Sequence, residues 1–300
     1  MIYRAGFVAL LGEPNAGKST LLNALLGEKV SIVSDRPQTT RQRVHGIFSI
    51  PQGQIVFVDA PGTLKSTSGI NTFLQEEVES VLHSADAVVV VLEPETSKES
   101  VTRLLDRAKA SKRPFVVIVT KGDLLRGDQA PKAVETLIDS GLPFVVLSPL
   151  KRVEETRQEI VDKVLPLLPE SEEPLFDEEM LTTEPMRKIA AEFVREACFK
   201  NIKDEVPYGL AVRVSKYEEP YGDKPVTKIY CDIIVERSTH KGIVIGAKGQ
   251  MIKAIGMEAR KALETLIGGQ VFLDLHVDVR EGWTSNKRLM KELGYVVVKE

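Results

Sequence analysis

The chain has 300 residues, 43% of them hydrophobic and 28% charged. That length exceeds a usual single domain, and the composition excludes both a disordered polymer and a bundle of membrane spans. The net charge of −3 conceals an asymmetry: residues 181–300 carry 20 Lys and Arg against 17 Asp and Glu, a net of +3, whereas residues 1–180 carry 20 against 26, a net of −6. The carboxyl half is therefore the one expected to meet a polyanion, although a charge of this size is a minor pointer.

The opening MIYRAGFVALLGEP has an apolar run of a few residues, cut by glycine, acid and proline, with no small-residue cleavage site. It reads as a buried strand rather than a signal peptide. Further runs follow in order, VHGIFSI, QIVFVDA, ADAVVVVLE, RPFVVIVTK and LPFVVLS, separated mostly by helix-length stretches. Continuous Val and Ile suit strands covered on both faces, which predicts an α/β fold with a mainly parallel sheet. VHGIFSI and QIVFVDA, joined by the short PQGQ, predict an antiparallel hairpin at one edge.

Between the first strand and a helix starting at Lys18 lies GEPNAGKS, which matches G-x-x-x-x-G-K-[ST] in the setting that motif requires. Gly12, Glu13, Pro14, Asn15, Ala16, Gly17, Lys18, Ser19 and Thr20 form the expected phosphate cradle. Loop N–H groups and the helix N-terminus face the phosphates, Lys18 reaches the β and γ oxygens, and Ser19 binds Mg²⁺. DAPG places Asp59 to hold Mg²⁺ through water and the Gly62 N–H to meet the γ-phosphate. TKGD ends the FVVIV strand with Thr120, Lys121 and Asp123. The Asp123 carboxylate accepts from guanine N1–H and N2–H₂, whereas adenine N1 is itself an acceptor, so GTP and GDP are the expected nucleotides.

The ordered set GxxxxGKS, QTT, DxxG and TKxD resembles the translation-factor-type GTPases over about half of the chain. Thr120 stands where that family's NKxD pattern has Asn, and makes fewer bonds than an amide would. The resemblance implies that a threonine of PQTTRQR, Pro37 to Arg43, completes the Mg²⁺ shell; Thr40 is preferred over Thr39. It also likens SPL, from Ser148, to a weakened base-contact loop. Lys18, Thr40 and Gly62 are the residues expected to act on the transferred phosphoryl group. Ras-like enzymes carry a water-positioning Gln directly after DxxG, where this chain has Thr63 and then Leu64. Slow intrinsic hydrolysis is expected, needing an activating partner or a cation. Asn15 resembles that of potassium-assisted members, which makes K⁺ a candidate second cation.

From Pro166 to Pro185 the text is PLLPESEEPLFDEEMLTTEP, with four prolines, an acidic run and no sustained periodicity. It divides a domain over 1–168 from one over 183–300, with 169–182 as linker. The second half reads α-β-β-α-α-β and then a helix around Asn286 to Leu293. Ile189, Phe193 and Ala197 share one face of its first helix. Cys198 and Cys231 lack a CxxC or histidine neighbour, which argues against a metal site or disulfide framework and suits a reducing compartment.

The stretch GIVIGAKGQMIKAIG resembles a second phosphate loop, but Gln250-Met251 follows where Lys-Ser or Lys-Thr would stand. A purely structural helix-turn-helix is the plain alternative. Gly246-Ala247-Lys248-Gly249 between two short helices matches the GxxG loop with which KH modules clamp about four nucleotides of single strand. Lys248 supplies charge, and Ile243, Val244, Ile245, Ile252 and Ile255 offer an apolar floor, although some of these must be core. With the terminal strand last, the order resembles a type II KH fold.

This half, with ERSTHKGIVIGAKG and LHVDVREGWTSN after the GTPase half, resembles the family of bacterial Era-type GTPases over nearly the whole chain. The fold implied is a P-loop GTPase domain followed by a smaller α+β type II KH domain. The resemblance implies binding of 16S rRNA near its 3′ end and assembly of the small ribosomal subunit. A cytoplasmic monomer that does not bind DNA is expected, with at most weak peripheral association at the inner face of the membrane. An RNA chaperone using nucleotide as a structural ligand and a membrane-surface signalling GTPase are the competing readings. His240, Trp283, and Lys287 with Arg288 and Lys291 are each open to an RNA-contacting or a structural reading.

Overall fold

The valine-rich runs of the first half pair edge to edge, because strands apolar on both faces are stable only inside a sheet covered on each side. In the computed structural model, which describes residues 2–34, 36, 39–62, 69–125, 130–221 and 225–296, these runs are β1 (Arg4–Leu11), β2 (Val44–Ile50), β3 (Gly53–Asp59), β4 (Ala87–Leu92), β5 (Phe115–Val119) and β6 (Phe144–Val146). They lie in the order β2-β3-β1-β4-β5-β6, all parallel except the β2/β3 hairpin at the edge. Helices α1 (Lys18–Leu26), α2 (Ile70–Ser84), α3 (Lys98–Ala110) and α4 (Lys132–Ser140) connect them, and α5 (Val153–Val164) follows the last strand.

The alternation along β1 shows why both faces must be apolar. Val8 and Leu10 join a core with Leu21, Leu22 and Leu25 of α1 and Ile160 of α5, while Ala9 and Leu11 join an opposite core with Val78, Val81, Leu104 and Leu137. Leu10 pairs with Asp59 and Leu92 with Val119, so the carboxyl ends of β1, β3, β4 and β5 come out at one edge of the sheet. Loops at that edge are where a doubly wound sheet carries its ligand.

Contacts divide the described residues into one unit of 2–62 and 74–183 and another of 184–296 together with 69–73. The stretch read from composition as a linker, 169–182, lies along the first unit. Ala5 N–H donates to Pro169 O at 3.2 Å, Ser171 N–H to Tyr3 O at 3.0 Å and Ile47 N–H to Leu181 O at 2.8 Å. Buried Gln54 grips its middle: its Oε1 accepts from Phe176 N–H and its Nε2 donates to Phe176 O, each at 2.9 Å. The Phe176 ring meets Phe7 edge-on at 6.2 Å.

In the second unit, α6 (Met186–Asn201) precedes β7 (Leu210–Glu218) and β8 (Val226–Val235), then come α7 (Ser238–Ile245), α8 (Gln250–Ile267), β9 (Gln270–Val279) and α9 (Lys287–Glu292). The sheet runs β7-β8-β9, antiparallel then parallel. Ile229, Cys231 and Ile233 of β8 point inward and are buried. Ile189, Phe193 and Ala197 of α6 are buried as their shared face predicts. Trp283 is core: its indole N–H donates to Gly209 O at 3.0 Å and its ring stacks on Tyr295 at 5.4 Å. Cys198 and Cys231 are buried free thiols, and burial pushes the Cys231 thiol up to about 12. Among the described residues no helix is long and apolar enough to cross a membrane.

Replacing Gln54 by Ala strands both polar groups of Phe176. A loss of about 1–3 kcal/mol is expected in urea unfolding of the full chain, with faster amide exchange at Phe176. Unchanged exchange there would show that Gln54 does not hold the segment.

Candidate functional site

The phosphate loop owes its path to glycines that nothing larger could replace. A Cβ on Gly12 would lie 2.4 Å from Val91 O, and one on Gly62 would lie 2.4 Å from Pro14 N, so the end of the β3 segment presses directly on the loop. Asn15 and Gly17 take left-handed φ of 66° and 90°. No side chain caps α1 at Gly17, which leaves its first N–H groups for an anion. A cleft of about 330 Å³ opens here, lined by Pro14, Asn15, Gly17, Lys18, Ser19 and Thr20, by residues 32–34, and by Thr39, Thr40, Gly62, Glu93 and Lys121.

Lys18 Nζ donates to the carbonyls of Gly12 at 3.2 Å and Glu13 at 3.0 Å. Burial pushes this ammonium below the usual lysine range, opposed by the Asp59 and Glu13 carboxylates. The Glu13 side chain turns outward, accepting from Ser100 Oγ at 2.6 Å and pairing with Arg103, so only its backbone serves the cradle. Gly12 and buried Ala16 likewise frame the cleft without lining it.

Beneath the loop, Ser19 Oγ donates to Asp59 Oδ2 at 2.5 Å and stands 3.1 Å from Thr40 Oγ1. The Thr39 hydroxyl instead donates to Arg36 O at 2.7 Å, which favours Thr40 as the threonine facing Ser19. Ser31, which the sequence did not single out, donates to the same Oδ2 at 2.8 Å. Burial raises the Asp59 carboxyl, opposed by Lys18 and the two serine hydroxyls. Asp59 Oδ1 is buried without a hydrogen-bond partner. An orphaned carboxylate oxygen beside two hydroxyls is an all-oxygen set of the kind that suits a hard divalent cation, so the residues fit Mg²⁺. Pro37, Gln38, Thr63 and Leu64 lie outside the described residues.

At the base end, Thr120 is buried and its hydroxyl reaches Ala16 O at 2.7 Å and Leu92 O at 3.2 Å, tying this loop to the phosphate loop. Lys121 has φ of 54° and pairs with Glu93 at 2.6 Å. Gly122 N–H donates to Leu147 O at 2.9 Å, and a Cβ there would sit 2.8 Å from Val146 and 3.1 Å from Ser148 Oγ, so TKGD and SPL touch. Asp123 and Ser148 do not line the 330 Å³ cleft. Lys151 Nζ lies 3.1 Å from Asp123 Oδ2, and that hydrogen bond holds Asp123 below the usual carboxylate range. Neither Lys151 nor Glu93 carries a local sequence signal; only the fold brings them here.

In the second unit, Gly246 (φ 71°), Lys248 (φ 48°) and Gly249 (φ 75°) make the turn between α7 and α8. A Cβ on Gly246 would meet Met251 Cβ at 2.6 Å, whereas one on Gly249 meets nothing within 4 Å. Ala247 and Lys248 are exposed, as is Ile243; Ile245 and Ile252 are partly so. Val244 and Ile255 are fully buried, which corrects the expected floor: both side chains pack the core beneath the loop and are closed to a base. A groove of about 360 Å³ runs on from Ile252 along Lys253, Gly256, Met257 and Arg260 of α8 to Leu273 and Leu275 of β9. Helical spacing from Ile252 and Lys253 could have found Gly256, Met257 and Arg260. His240 is half-buried, and Lys287, Arg288 and Lys291 are exposed on α9.

A family profile described as 50S ribosome-binding GTPase matches residues 7–121, and one described as KH domain matches residues 205–284. GTPase Era of Caldanaerobacter subterraneus subsp. tengcongensis is 40% identical over 301 residues, covering 100% of both chains; that of Geotalea daltonii is 40% identical over 301 residues, covering 98% of both. Two crystal structures share 36% identity and a TM-score of 0.88, covering 98% of this chain and 100% of theirs. One is a point variant of Aquifex aeolicus Era bound to GDP.AlF4-, the other Era in complex with MgGDPNP and nucleotides 1506–1542 of 16S ribosomal RNA.

Asp123→Asn exchanges a two-fold acceptor for one acceptor and one donor, which matches xanthine. GTP affinity is expected to fall at least ~100-fold while XTP affinity rises. Equal loss of both nucleotides in competition binding would remove the base-reading role.

Proposed function

We propose that this chain, which belongs to the Era family of GTPases, switches a carboxyl-terminal KH domain that holds 16S rRNA near its 3′ end during assembly of the small ribosomal subunit. The chain is a GTPase, converting GTP and water to GDP and phosphate. On this reading residues 1–168 read the nucleotide, residues 183–300 hold the RNA and 169–182 connect them. The RNA half is supported above all by an exposed GxxG turn that opens into a groove flanked by Lys253 and Arg260, in a chain 36% identical to an Era structure that carries 16S rRNA.

In phosphoryl transfer the protein supplies position and charge rather than bonds. Lys18 and the N–H groups at the start of α1 hold the phosphates, the Gly62 N–H meets the γ-phosphate, and Asp123 accepts from guanine. Ser19, Thr40 and Asp59 would hold Mg²⁺, which when bound would neutralise charge on the phosphates. The position of a water-orienting glutamine is taken by Thr63, so intrinsic turnover is slow and an activating partner, or K⁺ at Asn15, makes up the difference.

On the RNA side, the open space at Gly249 admits a sugar-phosphate backbone. Lys248, Lys253 and Arg260 face its charge, and Ile243, Ile245 and Ile252 support unstacked bases. The protein acts as a cytoplasmic monomer, with at most weak contact at the inner membrane face.

Crosslinking in cells and sequencing of the bound RNA is expected to enrich the 3′ end of 16S rRNA. The Gly249→Asp variant should lose that enrichment, and bind the isolated RNA at least about tenfold more weakly, with GTP affinity unchanged. No enrichment for the unaltered chain overturns the assembly role and leaves the GTPase standing. Single-turnover hydrolysis at matched ionic strength is expected to be faster in K⁺ than in Na⁺; equal rates remove the potassium reading.

A further inference from the structure

Ser31 lies behind the nucleotide cleft rather than in its lining, and is 1% exposed. Its place is fixed by one side chain. Asn23, on the second turn of α1, accepts the N–H of Val30 at 3.0 Å and of Ser31 at 3.0 Å through Oδ1, and donates Nδ2–H to Ser31 O at 2.7 Å. An aspartate there would lose the donor and a glutamine would overreach by a methylene. Both backbone groups of Ser31 are thereby pinned, which aims its hydroxyl at Asp59.

The consequence falls on the carboxylate. Asp59 Oδ2 receives two hydroxyl donors, Ser19 at 2.5 Å and Ser31 at 2.8 Å, while buried Oδ1 receives none. Ser19 alone would let the carboxylate turn and offer either oxygen, because one donor can follow the rotation. Two donors from α1 and from the segment after it, converging on a single oxygen, fix the plane of the group and leave Oδ1 as its free acceptor. A Ser19 proton spent on Oδ2 also leaves that hydroxyl's lone pairs turned elsewhere, as a metal ligand needs.

We infer that Ser31, locked by Asn23, is a positioning residue that sets the Asp59 carboxylate for Mg²⁺. The inference rests on Ser19, Thr40 and Asp59 being the Mg²⁺ set, and it assigns Ser31 no contact with the nucleotide. Outer partners of this kind orient the metal's ligands and so tune metal affinity.

The test measures release of a fluorescent GDP from the full chain across a Mg²⁺ titration, with excess EDTA as the metal-free end point. Wild type and Ser31→Ala should release at the same rate in EDTA, but Ser31→Ala should need about tenfold more Mg²⁺ for half of the slowing. Ser31→Thr, which keeps the hydroxyl, should restore the wild-type midpoint, and so guards against general damage to the fold. An unchanged midpoint in Ser31→Ala overturns the role of Ser31 alone. Release from wild type that ignores Mg²⁺ overturns the metal set itself, and the inference with it.

Discussion

Two opposite charges buried under one loop dictate the nucleotide end of this protein. Lys18 is 6% exposed and Asp59 is 0% exposed, and burial drives each toward its neutral form. Burying two opposite charges that make no direct contact is not a source of stability, because desolvation offsets much of their attraction. The loop carbonyls that Lys18 holds and the serine hydroxyls on Asp59 relieve only part of that cost, and one carboxylate oxygen has no partner at all. The proposed polyanion above and divalent cation beside it would complete the set. Whatever binds here also stabilises the fold by mass action.

Two sets of glycine turns in this chain differ in what surrounds them. Around Gly12 and Gly62, backbone from neighbouring segments comes so close that no side chain fits, and the result is a closed cradle of one size. Gly246 is crowded in the same manner, but Gly249 faces open space and continues into a groove along α8 and β9. A closed cradle selects a mononucleotide. On the proposed function, the open one leaves room for a polymer that enters and leaves at both ends.

Features written in local sequence were legible and features made by distant contacts were not. Runs such as VVVVL announce a doubly covered strand, and GEPNAGKS, DAPG and TKGD each sit at a strand end where the motif has meaning. Ser31, Asn23, Glu93 and Lys151 matter because the fold brings them to Asp59, Lys121 and Asp123, and nothing in their own neighbourhoods says so. Val244 misled because a helical apolar face looks alike whether it meets core or ligand. The stretch 169–182 shows no periodicity of its own because its anchoring runs through the Gln54 side chain and scattered backbone bonds.

The two cysteines have a practical side. Cys198 and Cys231 are closed to solvent, and burial keeps both thiols protonated at any ordinary pH. Since the thiolate is the reactive form, neither competes for an alkylating dye. A single surface cysteine introduced on α9 or α3 would therefore take a fluorophore or spin label selectively in the otherwise native chain, giving spectroscopists a handle without first stripping the core of its sulfur.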